Sequence, residues 1–171
     1  MTAKDHISSK GAWTMSLSLD LIDKLLLIHL QTDARTPIQE LADAVGASSA
    51  SVQRRLRRLR EKSIIERDVA VVSQDVSDAP MTFIVMVEVE RESLDRLDGF
   101  RRRAQAEPAI QQCYCVAGET DFVLIVQAKD MADYEAFTHR FFFKDSNIRR
   151  FRTNVAITRD KVGMTVPFDV S

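Results

Sequence analysis

The sequence predicts an α+β protein in which three helices are followed by a β-α-β-β-α-β pattern. Two observations carry this prediction. Apolar residues recur every three or four positions over residues 19–62, which is typical of short amphipathic helices. Beyond residue 80 they alternate along four segments, as in half-buried strands, and helical spacing returns in two segments between them. A chain of 171 residues has room for two small domains of this kind.

The composition is that of an ordinary globular protein. Hydrophobic residues make up 45% of the chain and charged residues 29%, with 24 basic and 25 acidic side chains that almost cancel. No segment approaches the roughly 20 apolar residues that cross a membrane, and the N-terminus has no secretory signal. We therefore expect a cytoplasmic protein with no membrane partner. Residues 1–18 are polar and aperiodic, so we expect a flexible tail there.

The first two helices have clear start and stop signals. The first is predicted over residues 19–30, with Asp20 as its N-cap. The second is predicted to begin with Thr36 as the cap and Pro37 at the first helical position. Gly46 follows this helix, where a residue with positive φ commonly ends it. The third helix is only two residues further on.

The third helix, Ser48 to Lys62, has a strongly basic outer face. Six of its fifteen residues are Arg or Lys. Its apolar positions share the opposite face: Val52, Leu56 and Leu59. A helix, a short turn with Gly and a basic second helix predict a helix-turn-helix (winged-helix-like) domain that binds double-stranded DNA. The predicted DNA-binding residues are Ser48, Ser49, Ala50, Ser51, Gln53, Arg54, Arg57 and Arg58. The alternative is a solvated basic face that binds nothing.

The order β-α-β-β-α-β predicts a ferredoxin-like sandwich, with two helices on one face of an antiparallel sheet. Its open face would leave four apolar residues exposed: Ile84, Met86, Val123 and Ile125. We therefore expect a homodimer that buries this face. Residues 64–72 are β-rich and are expected to begin as a connecting strand. The predicted divisions of the chain are a tail (1–18), the DNA-binding domain (19–65), a linker strand and linker (66–80), the ligand-sensing and oligomerisation domain (81–162) and a C-terminal tail (163–171).

Several motifs resemble the Lrp/AsnC (leucine-responsive, feast/famine) family of transcriptional regulators. They are Leu19-Asp20-x-x-Asp23-Lys24, Asp33-Ala34-Arg35, Glu40-Leu41-Ala42-x-x-Val45-Gly46-x-Ser48 and Arg54-Arg55-Leu56-Arg57-Arg58-Leu59. The resemblance implies a ferredoxin-like effector domain that dimerises through its sheet and assembles further, to a tetramer or octamer. One departure is Ser63, which stands where the family usually has a glycine that ends the recognition helix.

The segment from Gly118 to Asp121 is the candidate effector site. From its residues alone it is a tight turn between two strands. The resemblance implies that this turn lines a pocket between dimers that binds an amino acid, with Gly118, Thr120 and Asp121 as contacts and Thr153 and Asn154 as weaker candidates. A turn with no ligand is the alternative.

Catalytic motifs are missing from the sequence. His6, His29 and His139 lie far apart, and there is no nucleophile elbow, phosphate-binding loop or paired-carboxylate motif. Cys113 and Cys115 are too closely spaced to bridge readily and have no neighbouring ligands for a metal, so free thiols are expected. We expect no catalytic residue, cofactor or metal.

Three functions are compatible with these features. The first is a sequence-specific DNA-binding transcriptional regulator modulated by an amino acid or a similar small metabolite. The second is a tetrapyrrole (sirohaem-type) decarboxylase-like enzyme on the same architecture, and the third is an assembly module without DNA. The intact basic face of the third helix favours the regulator, because an enzyme has no need of it.

Overall fold

The computed structural model describes residues 18–90 and 93–170. Nearly all of the predicted N-terminal tail lies outside this part of the chain. The described residues form two compact units. The first combines the chain up to Val71 with the chain from Val162 onward, and the second is Val72–Lys161. The sequence prediction separated residues 163–171 as a tail; in the structure, residues 162–170 group with the helical unit.

The first unit contains the three predicted helices. They are α1 (Leu21–Thr32), α2 (Ile38–Val45) and α3 (Ser49–Glu61). Each contributes apolar side chains to one core, formed by Leu26, Leu27, Leu41, Ala42, Val45, Val52, Leu56 and Leu59. Full burial of a leucine or valine side chain contributes roughly 1.5–3 kcal/mol. The predicted apolar face of α3, formed by Val52, Leu56 and Leu59, is part of this core.

The start of α1 confirms one predicted cap, and the start of α2 corrects another. The carboxylate of Asp20 accepts from the backbone N–H of Asp23 at 2.9 Å, which caps α1. Thr36 does not cap α2, because its hydroxyl donates to the carbonyl of Asp33 at 2.7 Å and closes the turn after α1. The helix begins one residue later than expected, at Ile38, with Pro37 before it. It ends as predicted at Gly46, whose φ is 64°.

The end of α3 requires a left-handed residue. Ser63 has a φ of 53°, the one positive value among the non-glycine residues described. The N–H of Ile64 donates to Leu59 and that of Ser63 to Arg60, at 2.9 Å each, which is the Schellman arrangement. This geometry explains why a glycine is usual at the position, because a residue with a Cβ, such as Ser63, is strained in the left-handed region.

The connecting strand expected over residues 64–72 does not form. The chain there is irregular, and the side chain of Val71 is 97% exposed. The physical reason is that a strand needs a hydrogen-bonded neighbour, and no strand runs beside this segment in the described part of the chain. A short 3₁₀ turn, Gln74–Val76, follows before the second unit begins its sheet.

The second unit has the predicted ferredoxin-like order. Its elements are β1 (Met81–Val89), α4 (Leu94–Ala106), β2 (Ile110–Cys115), β3 (Phe122–Ala128), α5 (Met131–Phe141) and β4 (Ile148–Val155). The strands lie in the order β2-β3-β1-β4, and every neighbouring pair is antiparallel. Since β1 and β3 are central, β2 and β4 form the two edges of the sheet.

The two faces of this sheet differ in burial. Phe83, Val85 and Val87 of β1 are fully buried and share a core with Phe100 of α4 and Phe137 of α5, so both helices cover the same face. The opposite face has no covering layer within the described unit. It carries the four predicted apolar residues in register, Ile84 opposite Ile125 and Met86 opposite Val123. Ile84 is 38% exposed.

Among the described residues, no helix has the length and hydropathy needed to cross a membrane.

Candidate nucleic-acid interface and candidate effector turn

The recognition-helix candidate, α3, is buried along one edge and open along the other. Val52, Leu56 and Leu59 are at most 3% exposed, and they anchor the helix in the core of the first unit. The hydroxyl of Ser48 accepts from the backbone N–H of Ser51 at 3.3 Å, which confirms the predicted cap. Six predicted contact residues are exposed, and two more are half-buried at the helix start: Ser48, Ala50, Gln53, Arg54, Arg57 and Arg58, with Ser49 and Ser51.

Arg54 and Arg57 lie on the exposed edge. Arg54 has no hydrogen-bond or ion-pair partner in the part of the chain that the structure describes. Arg57 donates from Nε to Glu61 Oε1 at 2.7 Å, one helical turn away, and its side chain is 81% exposed. The Glu61 carboxylate raises the pKa of Arg57 above its ordinary value. Because exposed pairs of this kind are weak, Arg57 can exchange Glu61 for another anion.

Arg58 has a different environment from the one expected. Its guanidinium pairs with Asp23 Oδ2, and Asp23 Oδ1 accepts from Arg55 Nη1 at 2.8 Å. Asp23 is 1% exposed, so this carboxylate is buried between two arginines of α3. By spacing along α1 alone, Asp23 is an acidic residue in the first helical turn, where it would interact with the helix dipole. Its buried position could not be recognised from spacing along one helix, since both partners lie on another helix.

Asp20 completes the group of charges. Arg55 Nη1 also contacts Asp20 Oδ2 at 2.6 Å. The N–H of Asp23 and the guanidinium of Arg55 hold the pKa of Asp20 below its ordinary value, and these two carboxylates raise the pKa of Arg55. The N-terminus of α1 is thus attached to the middle of α3 by a network of charge-assisted hydrogen bonds.

A polar contact joins α2 to the start of α3. Ser49 Oγ donates to Gln39 Oε1 at 2.8 Å, and Gln39 Nε2 donates to Asp43 Oδ1 at 3.0 Å. The spacing of Gln39, three residues after Thr36, is typical of a capping signal. Gln39 instead fixes the side chain of one predicted DNA contact, and no signal in the sequence identified this pairing.

The candidate effector turn is bonded to the end of β1. The hydroxyl of Thr120 donates to the carbonyl of Val87 at 2.6 Å. Asp121 Oδ2 accepts from the N–H of Val89 at 2.7 Å, beside the register shift between Glu88 and Val89. These contacts give both side chains a structural role in the folded unit. Within the described residues, Oδ1 of Asp121 makes no hydrogen bond.

Neither the backbone conformation nor the packing inside the unit requires a glycine at position 118. Its φ is not in the left-handed region, and a Cβ placed there would meet no atom within 4 Å. The backbone at this position is therefore open to approach from outside.

Thr153 and Asn154 point to opposite faces of the sheet. Thr153 lies on the helix-covered face, where its hydroxyl is 2.5 Å from that of Tyr134, a residue whose pKa is raised by burial. Asn154 is exposed on the open face, paired in register with Ile84. Both residues belong to β4, whereas the turn leads into β3. Because β1 lies between β3 and β4, these two strands are about 10 Å apart. The structure does not bring the five candidates into one cluster.

The open face also carries an ion-pair group. Glu88 Oε1 accepts from Arg150 at 2.8 Å and from Arg152 at 3.1 Å. Arg150 is the main reason that the pKa of Glu88 lies below its usual range. The open face is thus apolar towards β3 and charged towards β4.

No metal-ligand group occurs among the residues described. Three or more His, Cys, Asp or Glu side chains nowhere converge there. Cys113 is half-buried and Cys115 exposed, both as free thiols. Burial raises the pKa of the Cys113 thiol.

Comparison with known proteins identifies both units. An AsnC-type helix-turn-helix domain matches residues 19–60, and an Lrp/AsnC ligand binding domain matches residues 82–165. An HTH-type transcriptional regulator of Sinorhizobium fredii is 43% identical over 155 residues, covering 91% of this chain and 92% of its own. The leucine-responsive regulatory protein of Rhizobium meliloti is 30% identical over 145 residues, or 85% and 93% of the two chains.

Solved structures agree with these relatives. The AsnC family transcriptional regulator of Agrobacterium tumefaciens superimposes with a TM-score of 0.81, at 28% identity, over 87% of this chain and 97% of that one. A transcriptional regulator of Neisseria meningitidis, solved as a complex with L-methionine, has the same fold, with a TM-score of 0.80 at 23% identity over 88% and 97% of the two chains. The chain therefore belongs to the Lrp/AsnC family of transcriptional regulators.

Proposed function

We propose that α3 binds double-stranded DNA in the major groove, with Arg54 and Arg57 at the centre of the contact. The observation that supports this most directly is the exposed basic edge of a helix whose other edge is firmly buried. Arg54 has no competing partner in the described chain, and Arg57 gives up only a weak surface pair. An arginine can donate two hydrogen bonds to guanine or contact a phosphate. These side chains can therefore both recognise the base sequence and attract the DNA backbone.

The neighbouring residues have supporting roles in this proposal. Ser48, Ser49, Ala50 and Ser51 are small, so the start of α3 can approach the bases closely, and Gln53 can pair with adenine. Arg58 is already bonded to Asp23 but keeps 44% of its side chain exposed. We propose that Arg58 adds positive potential near phosphate, while Asp23 fixes its position.

The proposed assembly is a homodimer formed through the open sheet face, which can associate further into a tetramer or octamer. The support is the two adjoining apolar rows on β1 and β3, in which Ile84 is exposed and Met86, Val123 and Ile125 are half-buried, because contact of these side chains with water is unfavourable. A two-fold dimer would present two copies of α3 to half-sites about 34 Å apart. The protein would act where the DNA is, in the cytoplasm.

The proposed effector is an amino acid bound at the turn Gly118–Asp121. The open backbone at Gly118 can donate N–H groups to a carboxylate, and Asp121 Oδ1 can accept from an ammonium group. The Neisseria relative of the same fold was solved with L-methionine, which supports an amino-acid ligand of this type. Asn154 lies on the open face and can contribute from there, whereas Thr153 is engaged with Tyr134.

Selection of genomic fragments by the purified protein, with and without a panel of the twenty amino acids, tests both the proposed DNA binding and the proposed effector. We expect retention of a small set of related fragments, and a change in retention with one or a few amino acids. Retention of no fragment would favour the assembly module. If fragments are retained but no amino acid changes their retention, the proposed amino-acid effector would be wrong.

The comparisons lend no support to the tetrapyrrole decarboxylase alternative, since the relatives reported above are transcriptional regulators. We expect no enzymatic activity. Failure of a haem-type tetrapyrrole to produce a Soret shift with the protein checks this expectation.

A further inference from the structure

The chain beyond the effector domain returns to the first unit and contacts α1. The side-chain amide of Gln31 makes two hydrogen bonds with the backbone of Val166, accepting from its N–H at 2.5 Å and donating to its carbonyl at 3.1 Å. Lys24 Nζ donates to the carbonyl of Asp169 at 2.6 Å. Gln31 and Lys24 lie two helical turns apart on α1, so the segment follows the helix over that distance.

An apolar contact joins the same segment to the core. Phe168 is half-buried and packs against the core of the first unit, which includes Val52, Leu56 and Leu59 of α3. The docked segment is thus part of the environment of the recognition helix. Its backbone lies along α1, and its aromatic side chain meets the core that supports α3.

The contacts of α1 extend the connection. Asp23 binds Arg55 and Arg58 of α3, and the next residue, Lys24, binds the docked segment. A displacement of α1 would therefore disturb both contacts. Because Asp23 is buried between the two arginines, α3 cannot shift relative to α1 without breaking charge-assisted hydrogen bonds.

We propose that residues 166–169 are a positioning segment for DNA binding, with Gln31 and Phe168 as the residues through which the segment keeps α1 and α3 in place. The chain passes from the first unit to the second after Val71 and returns to the first unit at Val162. This inference rests on the proposed DNA-binding function of α3.

The test uses the full chain and four variants. Gln31→Ala removes the paired hydrogen bonds, and Phe168→Ala removes the apolar contact. Phe168→Leu keeps an apolar side chain and should therefore preserve both the docking of the segment and DNA binding. Gln105→Ala is the matched control, because Gln105 is also a helical glutamine but is exposed and lies on α4. Circular dichroism selects a temperature at which every variant is fully folded.

Two measurements are made at that temperature. Amide exchange of Val166 reports docking, and the dissociation constant for a selected DNA fragment reports function. We expect Gln31→Ala and Phe168→Ala to accelerate exchange at Val166 and to weaken DNA binding by about threefold to tenfold, the range that loss of one hydrogen bond produces. Phe168→Leu and Gln105→Ala should stay within about twofold of the wild type.

The outcomes separate this inference from the proposed function. Faster exchange at Val166 with unchanged DNA affinity would overturn the positioning role alone. Weakened DNA binding that Phe168→Leu does not restore, or that Gln105→Ala reproduces, would also overturn it. A wild-type chain that binds no selected fragment would remove the proposed function, and this inference with it.

Discussion

At the scale of single residues, Asp23 is the side chain whose role changes most between sequence and structure. A carboxylate in the first turn of a helix usually interacts with the helix dipole, which contributes about 0.3–1 kcal/mol at an exposed site. Asp23 is instead buried and accepts from Arg55 and Arg58. Loss of one member of a buried ion pair leaves the remaining charge without compensation, and this costs considerably more than a dipole interaction.

Asp23→Asn should destabilise the chain by about 2–4 kcal/mol. This is less than the ~3–5 kcal/mol of a fully buried pair, because both arginines keep some contact with solvent. Urea unfolding followed by far-UV circular dichroism measures the change. Asp95→Asn is the control, since Asp95 is also acidic and in the first turn of its helix, α4, but is exposed. Equal effects of the two substitutions would restore the dipole interpretation.

At the scale of elements, the end of α3 shows how one residue sets the energy of a helix terminus. The Schellman turn needs a left-handed residue, and Ser63 fills that place at φ 53°. A Cβ in the left-handed region costs about 1–2 kcal/mol, whereas glycine avoids this cost but loses more backbone entropy on folding. The difference favours glycine at this position.

Ser63→Gly should therefore stabilise the chain by about 0.5–1 kcal/mol. The same urea unfolding experiment measures it. Ser93→Gly provides the comparison, because Ser93 has a φ of −77° and its side chain makes no capping hydrogen bond with α4. That substitution should be neutral or slightly destabilising. A destabilised Ser63→Gly variant would show that the hydroxyl at this position matters more than the backbone conformation.

The elements themselves could be predicted because their signals are local. Apolar spacing located all three helices of the first unit, and alternation located the four strands, since each pattern follows from the geometry of one element. The end of α2 at Gly46 could be predicted because the signal, a glycine directly after the helix, is also local. Thr36 was assigned to the wrong contact, because a hydroxyl near a helix start can cap the helix or donate to the preceding turn, and spacing does not choose between them.

The parts that escaped prediction depend on residues far apart in the chain. Arg58 was predicted from its helix face alone, but its bond to Asp23 spans two helices. The docking of residues 166–169 on α1 joins the two ends of the described chain, and no periodicity points to it. The separation of Thr153 and Asn154, by contrast, is a local property, because adjacent residues of a strand point to opposite faces of the sheet.

At the scale of the whole molecule, the open sheet face determines assembly in the proposed account. Ile84 and Met86 are apolar and stand in register with apolar residues of β3, while their β4 neighbours are the polar Asn154 and the charged Arg152. An apolar area beside a charged margin is typical of an interface core with its rim. A two-fold dimer formed through this proposed interface would contain two copies of the effector turn and two copies of α3.

Ile84→Lys should break the dimer, because it places a charge in the apolar area that a partner would bury. Sedimentation velocity is expected to show a shift from the wild-type oligomer towards the monomer. Leu94→Lys is the control, since Leu94 is an exposed leucine on the helix layer of the same unit. An unchanged sedimentation coefficient for Ile84→Lys would place the interface elsewhere.

The central claim is that the exposed edge of α3 binds DNA, and the salt dependence of fragment binding tests it most directly. Arg54→Ala and Arg57→Ala should each weaken binding by about 1–3 kcal/mol if they contact a base, or reduce the log–log salt slope by about 0.9 if they contact a phosphate. Arg102→Ala, an exposed arginine of α4, should change neither. Unchanged affinity and slope for both α3 variants near physiological salt would contradict the account.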